Sequence, residues 1–173
     1  MRSSRADRGF TLIELLIVVA IIGIIAAIAI PSLLRARVAS NEAATIGDIR
    51  TVISSEAAYH SAAGGFYGTL PCLLTPSMIG CIPAYNPTAP TFIDSQIASL
   101  TPKSGYNRAF FSLVLPGGLG CYVYGATPAA QDKTGVRGFG GDCSAVVCFT
   151  PNGAPVPLDG SGGALAPGCA PIQ

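Results

Sequence analysis

Twenty consecutive residues, from Leu15 to Leu34, carry no charge and are built mainly of Ile, Leu, Val and Ala, with Gly23 and Pro31 as interruptions. At about 1.5 Å per helical residue the run reaches about 30 Å, the depth of one bilayer core. No other uncharged run in the 173 residues is continuously apolar. A polytopic channel or transporter is therefore excluded, and so is a purely soluble enzyme unless this segment is removed. The composition, 50% hydrophobic and 11% charged, splits into one apolar segment and a low-charge remainder. That remainder is long enough for a single domain with a modest core. Ahead of the apolar run, residues 1–9 carry Arg2, Arg5 and Arg8 against Asp7. A basic head directly before an apolar segment stays cytoplasmic by the positive-inside rule.

Past Leu34 polarity returns at Arg35, yet helical periodicity continues. Ile46, Ile49, Ile53 and Ala57 recur at helix spacing as one apolar stripe, which places Glu42, Asp48, Arg50 and Glu56 on other faces. Gly64-Gly65 supplies the stop. The reading is one helix from about Phe10 to Ala63, bent near Pro31, apolar on all sides to residue 34 and amphipathic over 35–63. Residues 64–173 form a globular head. Within it, residues 66–91 read as an irregular loop pinned by packing or disulfides, and 92–100 as a short helix. Strands are expected at 109–115, 121–127, 135–139 and 144–150, with a turn at Gly117-Gly118 and a loose Gly/Pro/Ala tail. The fold class is α+β: a long N-terminal helix with its apolar half protruding and its amphipathic half packed on a small antiparallel sheet.

Six cysteines, Cys72, Cys81, Cys121, Cys143, Cys148 and Cys169, all follow the apolar run. An even number beyond a membrane segment fits disulfides in an oxidising compartment. Cys72 and Cys81 flank a Pro-containing loop that closure would fit. Cys143 and Cys148, about 16 Å apart if they flank one strand, exceed disulfide reach and each bond elsewhere. The remaining connectivities stay open, and Cys169 is expected to tie down the tail. No CxxC pair occurs and His60 is the only histidine, so no metal site is expected. Glu56 and His60, four apart on the helix, are spaced to allow a surface pair, which is far short of a site. Asp94, Asp132, Asp142 and Asp159 are scattered as turn residues. No nucleophile elbow, phosphate loop or zinc-protease motif occurs, so neither enzymatic activity nor a cofactor is expected. A net charge of +1 without Lys/Arg clusters gives no sign of nucleic-acid binding. Tyr59, Phe66 and Tyr67 gather at the helix end and are expected to pack the junction with the sheet.

The junction of head and apolar run reads Arg8-Gly9-Phe10-Thr11-Leu12-Ile13-Glu14-Leu15. It resembles the class III signal of the type IV pilins and type II secretion pseudopilins, closely over residues 8–34 and more loosely along the rest of the helix. The resemblance implies a pilin-like fold and cleavage of residues 1–9 by prepilin peptidase between Gly9 and Phe10, followed by N-methylation of Phe10. It implies that Glu14 pairs with the terminal amine of a neighbouring subunit during filament assembly. Gly23 and Pro31 match positions that bracket a stretch able to unwind in the filament. The partners implied are further copies in a homo-polymer, the peptidase, the inner membrane, and an inner-membrane assembly platform driven by a separate ATPase. The precursor would sit in the bacterial inner membrane, and the assembled form would be a cell-surface pilus or a periplasmic pseudopilus.

Physical chemistry agrees at two of these positions. Gly9 has no side chain to keep the backbone from a protease site. A carboxylate such as Glu14 in an apolar helix costs roughly 2.5–3.5 kcal/mol, and such residues are usually paired and functional. The alternatives are a pseudopilin of a type II secretion system and, more remotely, a secreted or anchored protein with an ordinary signal. In that last case Ala27-Ile28-Ala29 would imitate a cleavage site. Glu14 and the helix continuing past Arg35 stand against it. From Phe10 onward seven Lys/Arg face eight Asp/Glu, so the positive balance belongs to the precursor.

Overall fold

The computed structural model describes residues 9–172. Helix α1 runs from Leu12 to Ala62, 51 residues without interruption and with Pro31 inside it. The chain divides into two compact units, one up to Ala36 and one from Arg37 onward.

In the first unit no side chain from Gly9 to Ala36 is buried. Ile28 is 73% exposed and Leu33 72%. An apolar helix surface of this extent far exceeds what a soluble domain leaves open to water, so lipid or protein must cover it. It is long and apolar enough to cross a membrane.

The second unit is the head. Helix α1 ends in a Schellman arrangement, as Gly64-Gly65 led us to expect: Gly64 takes φ +71° and the Gly65 N–H donates to the His60 carbonyl at 3.0 Å. Two short helices follow, α2 (Leu70–Leu74) and α3 (Ser95–Ala98). Thr69 and Asp94 are their N-caps, the Asp94 carboxylate accepting from the Gln96 and Ile97 N–H groups. The 66–91 segment is thus less irregular than expected, since Thr69-Leu70-Pro71 is a start signal with proline in the first turn. The sheet is antiparallel in the order β1 (Tyr106–Leu115), β2 (Gly118–Pro128), β3 (Gly138–Asp142), β4 (Val147–Thr150), β5 (Ala170–Pro171). Leu115 pairs with Gly118 across a two-residue turn whose Gly117 has φ +107°. The turn therefore sits one residue earlier than expected.

Alternation along β2 sends Tyr122, Tyr124 and Ala126 into the main core with Ile49, Val52 and Tyr59 of α1, while Val123 packs with Cys148 and Val156 on the opposite side. Strand β3 reads Gly-Phe-Gly-Gly-Asp, poor β-formers. A Cβ on Gly141 would lie 2.7 Å from Ile49 and 2.8 Å from Ile53, and one on Gly140 would lie 2.6 Å from Val156. The glycines let α1 approach one face of the strand and the C-terminal segment the other.

All six cysteines are bridged. Cys72–Cys81 closes the loop that follows α2, Cys121–Cys143 joins β2 to the end of β3, and Cys148–Cys169 brings the tail onto β4. Cys143 and Cys148 take different partners, as their separation required. Cys148–Cys169 also explains β5, a strand not expected from the sequence: Cys148 lies opposite Pro171 in the ladder.

Candidate functional site

The start of α1 is fixed by two side chains acting reciprocally. Thr11 stands just before the first helical residue, and its Oγ1 accepts from the Glu14 N–H at 3.3 Å. Glu14 Oε2 in turn accepts from the Thr11 N–H at 2.9 Å and from the Thr11 hydroxyl at 2.6 Å. This is a capping box, in which Thr and a Glu three residues later satisfy backbone donors that the first turn leaves unpaired. Its sequence signal, Thr-x-x-Glu ahead of an apolar run, is present in the chain. It gives Glu14 an intramolecular role beside the expected intermolecular one.

Gly9 and Phe10 precede the helix, Phe10 being 78% exposed. The rest of the expected leader, residues 1–8 with Arg2, Arg5 and Arg8, lies outside the described residues. Gly23 and Pro31 both lie within α1. A Cβ at Gly23 would meet nothing within 4 Å, so no packing among the described residues requires glycine there. Pro31 removes one backbone donor from the helix ladder.

In the head, α1 buries Ile49 and packs Ile46 and Ile53 half-buried against the core, but the buried face is wider than its isoleucines mark. Glu42, Thr45, Ile49, Val52, Ser55, Glu56 and Tyr59 are buried, whereas Ala57 is exposed. Of the expected stripe Ile46, Ile49, Ile53 and Ala57, the three isoleucines pack against the core and Ala57 does not, while Glu42 and Glu56 turn inward to partners from the rest of the head. Glu42 Oε1 accepts from the Val136 and Arg137 N–H groups at 3.0 and 3.1 Å. Its Oε2 accepts from Arg137 Nε and Nη2 at 2.9 and 2.6 Å. Burial pushes this carboxyl up, but the Arg137 side chain and the two N–H donors outweigh it and hold the pKa below the ordinary carboxylate value. The Arg137 guanidinium also lies 5.2 Å from the Phe139 ring centroid and 5.3 Å from that of Phe149. Asp48 pairs with Lys103 at 2.8 Å and with the buried Arg108.

Glu56 is the exception among these acids. It is fully buried, Oε2 accepts one bond from the Gly68 N–H at 2.9 Å, and Oε1 has no partner among the described residues. No cation among those residues pairs with it, and burial pushes its pKa up to about 8. The surface pair with His60 that the spacing allows does not form. Glu56 points into the head because Gly68 offers its N–H there, while the His60 ring lies 4.6 Å from the Tyr67 ring. Tyr67 meets Tyr122 edge-on at 5.2 Å, so the aromatic residues at the helix end do pack its junction with the sheet.

Asp94, Asp142 and Asp159 accept local backbone N–H bonds and act as caps and turn residues. Asp142, itself buried, also accepts from the Leu165 N–H at 3.0 Å and so fastens the C-terminal segment. Among the described residues no group of three or more His, Cys, Asp or Glu is placed to hold a metal ion. A concavity of about 390 Å³ opens beside the helix end, lined in part by Tyr59, Phe66, Tyr67 and the Cys72–Cys81 bridge.

The family described as the prokaryotic N-terminal methylation motif matches residues 4–30. The chain is 44% identical over 64 residues to the type IV major pilin protein PilA of Myxococcus xanthus, a match covering 35% of this chain and 29% of that protein. It is 46% identical over 55 residues to the type IV wide pilus major component PilA4 of Thermus thermophilus, covering 32% of this chain and 42% of that one. The matches thus span less than half the length of either relative. No solved structure matches the chain. The methylation motif over the start of the first helix, these pilin relatives and an α+β fold built on that helix together support a protein similar to the type IV pilins and prepilins.

Proposed function

We propose that the protein is a structural subunit of a type IV pilus-like filament, with no catalytic activity of its own. The observation that carries this reading is the exposed apolar half of α1, in which no residue is buried, headed by a Gly9-Phe10 junction and a carboxylate at Glu14. Such a surface needs lipid before assembly and other subunits after it. Prepilin peptidase cuts between Gly9 and Phe10, removing the basic leader, and Phe10 becomes the methylated N-terminus. The Glu14 carboxylate then takes the terminal amine of a neighbouring copy. That pairing offsets the cost of a charge among apolar helices and sets their axial register. Gly23 and Pro31 weaken the helix between them. Gly costs about 1 kcal/mol relative to Ala and Pro more, and this stretch is the one that unwinds in the filament. Gly23 also allows a neighbouring helix close approach.

The precursor waits in the bacterial inner membrane with residues 1–9 cytoplasmic. A separate ATPase acting on an inner-membrane assembly platform supplies the work of extraction. Both matched relatives are named as major pilus components, which favours a surface pilus over a secretion pseudopilus. Electron microscopy of sheared filaments, with mass spectrometry of their subunit, tests this: abundant filaments of a protein beginning at Phe10 are expected. A mature chain beginning at Ile30, or a protein absent from any filament, refutes it. Glu14→Ala should leave cleavage intact and abolish filaments, and normal filaments from that variant would remove Glu14 from assembly.

A further inference from the structure

The two oxygens of Glu14 are used unequally. Oε2 takes both donors of Thr11, the N–H and the hydroxyl, while Oε1 takes no hydrogen bond among the described residues. Both Thr11 donors lie on the retained side of the Gly9–Phe10 junction, so removal of residues 1–9 leaves them in place. An ionised carboxylate accepts on both oxygens, and one already tied through Oε2 keeps capacity on the other. A flexible side chain ordered in advance also surrenders less freedom when a partner arrives.

The geometry points to Thr11 as a positioning residue for Glu14: it holds Oε2 within the chain and leaves Oε1 as the acceptor for the terminal amine of a second copy. The inference rests on the reading of Glu14 as an assembly residue. The capping box keeps the carboxylate partly satisfied while the subunit waits in lipid, and assembly then adds a bond without breaking one. The hydroxyl is the element a substitution can remove. Valine keeps the branched shape of threonine and deletes the donor, whereas serine keeps the donor and deletes the methyl group.

The test uses the full chain, expressed in cells lacking their own copy of the gene, and reads filament yield per mature subunit in the membrane. Thr11→Val should lower that yield about fivefold or more, the usual consequence of losing a helix cap, while Thr11→Ser should stay within about twofold of the parent. Wild-type yield from Thr11→Val, or an equal loss in Thr11→Ser, overturns the inference. Normal filaments from Glu14→Ala would instead overturn the reading on which it rests, so the two failures are distinguishable. Should Thr11→Val escape cleavage, infrared spectra of the uncleaved precursor in bilayers, labelled with 13C-carboxyl glutamate, decide the matter. Subtracting the Glu14→Gln spectrum isolates Glu14 from Glu42 and Glu56. Its band should shift in Thr11→Val and not in Thr11→Ser, and an unshifted band in Thr11→Val overturns the inference.

Discussion

Replacing Glu56 by glutamine should cost the head some stability in acid and make it more stable than the parent as the pH rises toward 8. The carboxyl is fully buried with one N–H donor and no paired cation, and its pKa moves from 4.5 to about 8. Folding therefore favours the protonated acid. Below about pH 4.5 both folded and unfolded chains carry the proton and the group imposes no charge penalty. Between 4.5 and 8 the unfolded chain releases its proton while the folded chain retains it, and the parent loses about 1.4 kcal/mol for each pH unit. Above 8 the loss levels off at about 4–5 kcal/mol. Glutamine retains the acceptor for Gly68 but leaves an amide N–H₂ in the place of the unpartnered Oε1, which costs about 1–3 kcal/mol at every pH. Glu56→Gln should thus be slightly less stable than the parent near pH 4.5 and more stable by about 2–3 kcal/mol near pH 8, with a crossing between. Denaturant unfolding of the full chain in detergent, with disulfides intact, would be followed by tyrosine circular dichroism, since the chain has six Tyr and no Trp. Other titrating groups cancel in the difference between variants. A stability difference that stays constant from pH 4.5 to 8, or one that moves against the variant as pH rises, would refute the account of Glu56.

Glu42 has the opposite sign. Its pKa is lowered, so its contribution is present above about pH 4.5 and disappears on further acidification. Glu42→Gln should cost about 2 kcal/mol at pH 7, tempered by the solvent access of Arg137, and the gap to the parent should close when unfolding is measured in acid. Replacing both Cys148 and Cys169 by alanine should lower stability by about 3 kcal/mol, the cost expected for opening a loop of this size. The same variant should raise amide hydrogen exchange in the C-terminal segment from Val156 to Ile172, and unchanged exchange there would argue that β5 needs no bridge. Gly141→Ala should cost about 2 kcal/mol by denaturant unfolding, because the new methyl meets Ile49 and Ile53 at under 3 Å. An unchanged midpoint would show that α1 can draw back from β3.

Local chemistry is legible in the sequence wherever the partner is a near neighbour. Gly64-Gly65 marks the helix end, alternating runs mark β1 and β2, and Thr11-x-x-Glu14 marks the helix start for any reading that looks for a cap. The face that α1 buries was legible only at its isoleucines, for a specific reason. Four of its positions, Glu42, Thr45, Ser55 and Glu56, are polar, and hydropathy assigns such residues to the outside. What turns two of them inward is chemistry supplied from elsewhere: Arg137 lies 95 residues beyond Glu42, and the Gly68 N–H lies 12 beyond Glu56. Strand β3 failed in the same way. Its expected position, 135–139, follows propensity; its actual position, Gly138–Asp142, follows clearance, because only glycine at 140 and 141 admits Val156 on one side and Ile49 with Ile53 on the other. Two acids of one helix face also reach opposite outcomes, for the same distant cause. Glu42 meets Arg137 and is stabilised as an anion, whereas Glu56 meets a lone N–H among tyrosines and is stabilised as an acid. Identical side chains on one helix thus acquire contrary pH dependences from segments that the helix sequence does not contain. A variant that placed a cation beside Glu56 should lower its pKa toward the ordinary value and remove its penalty at alkaline pH.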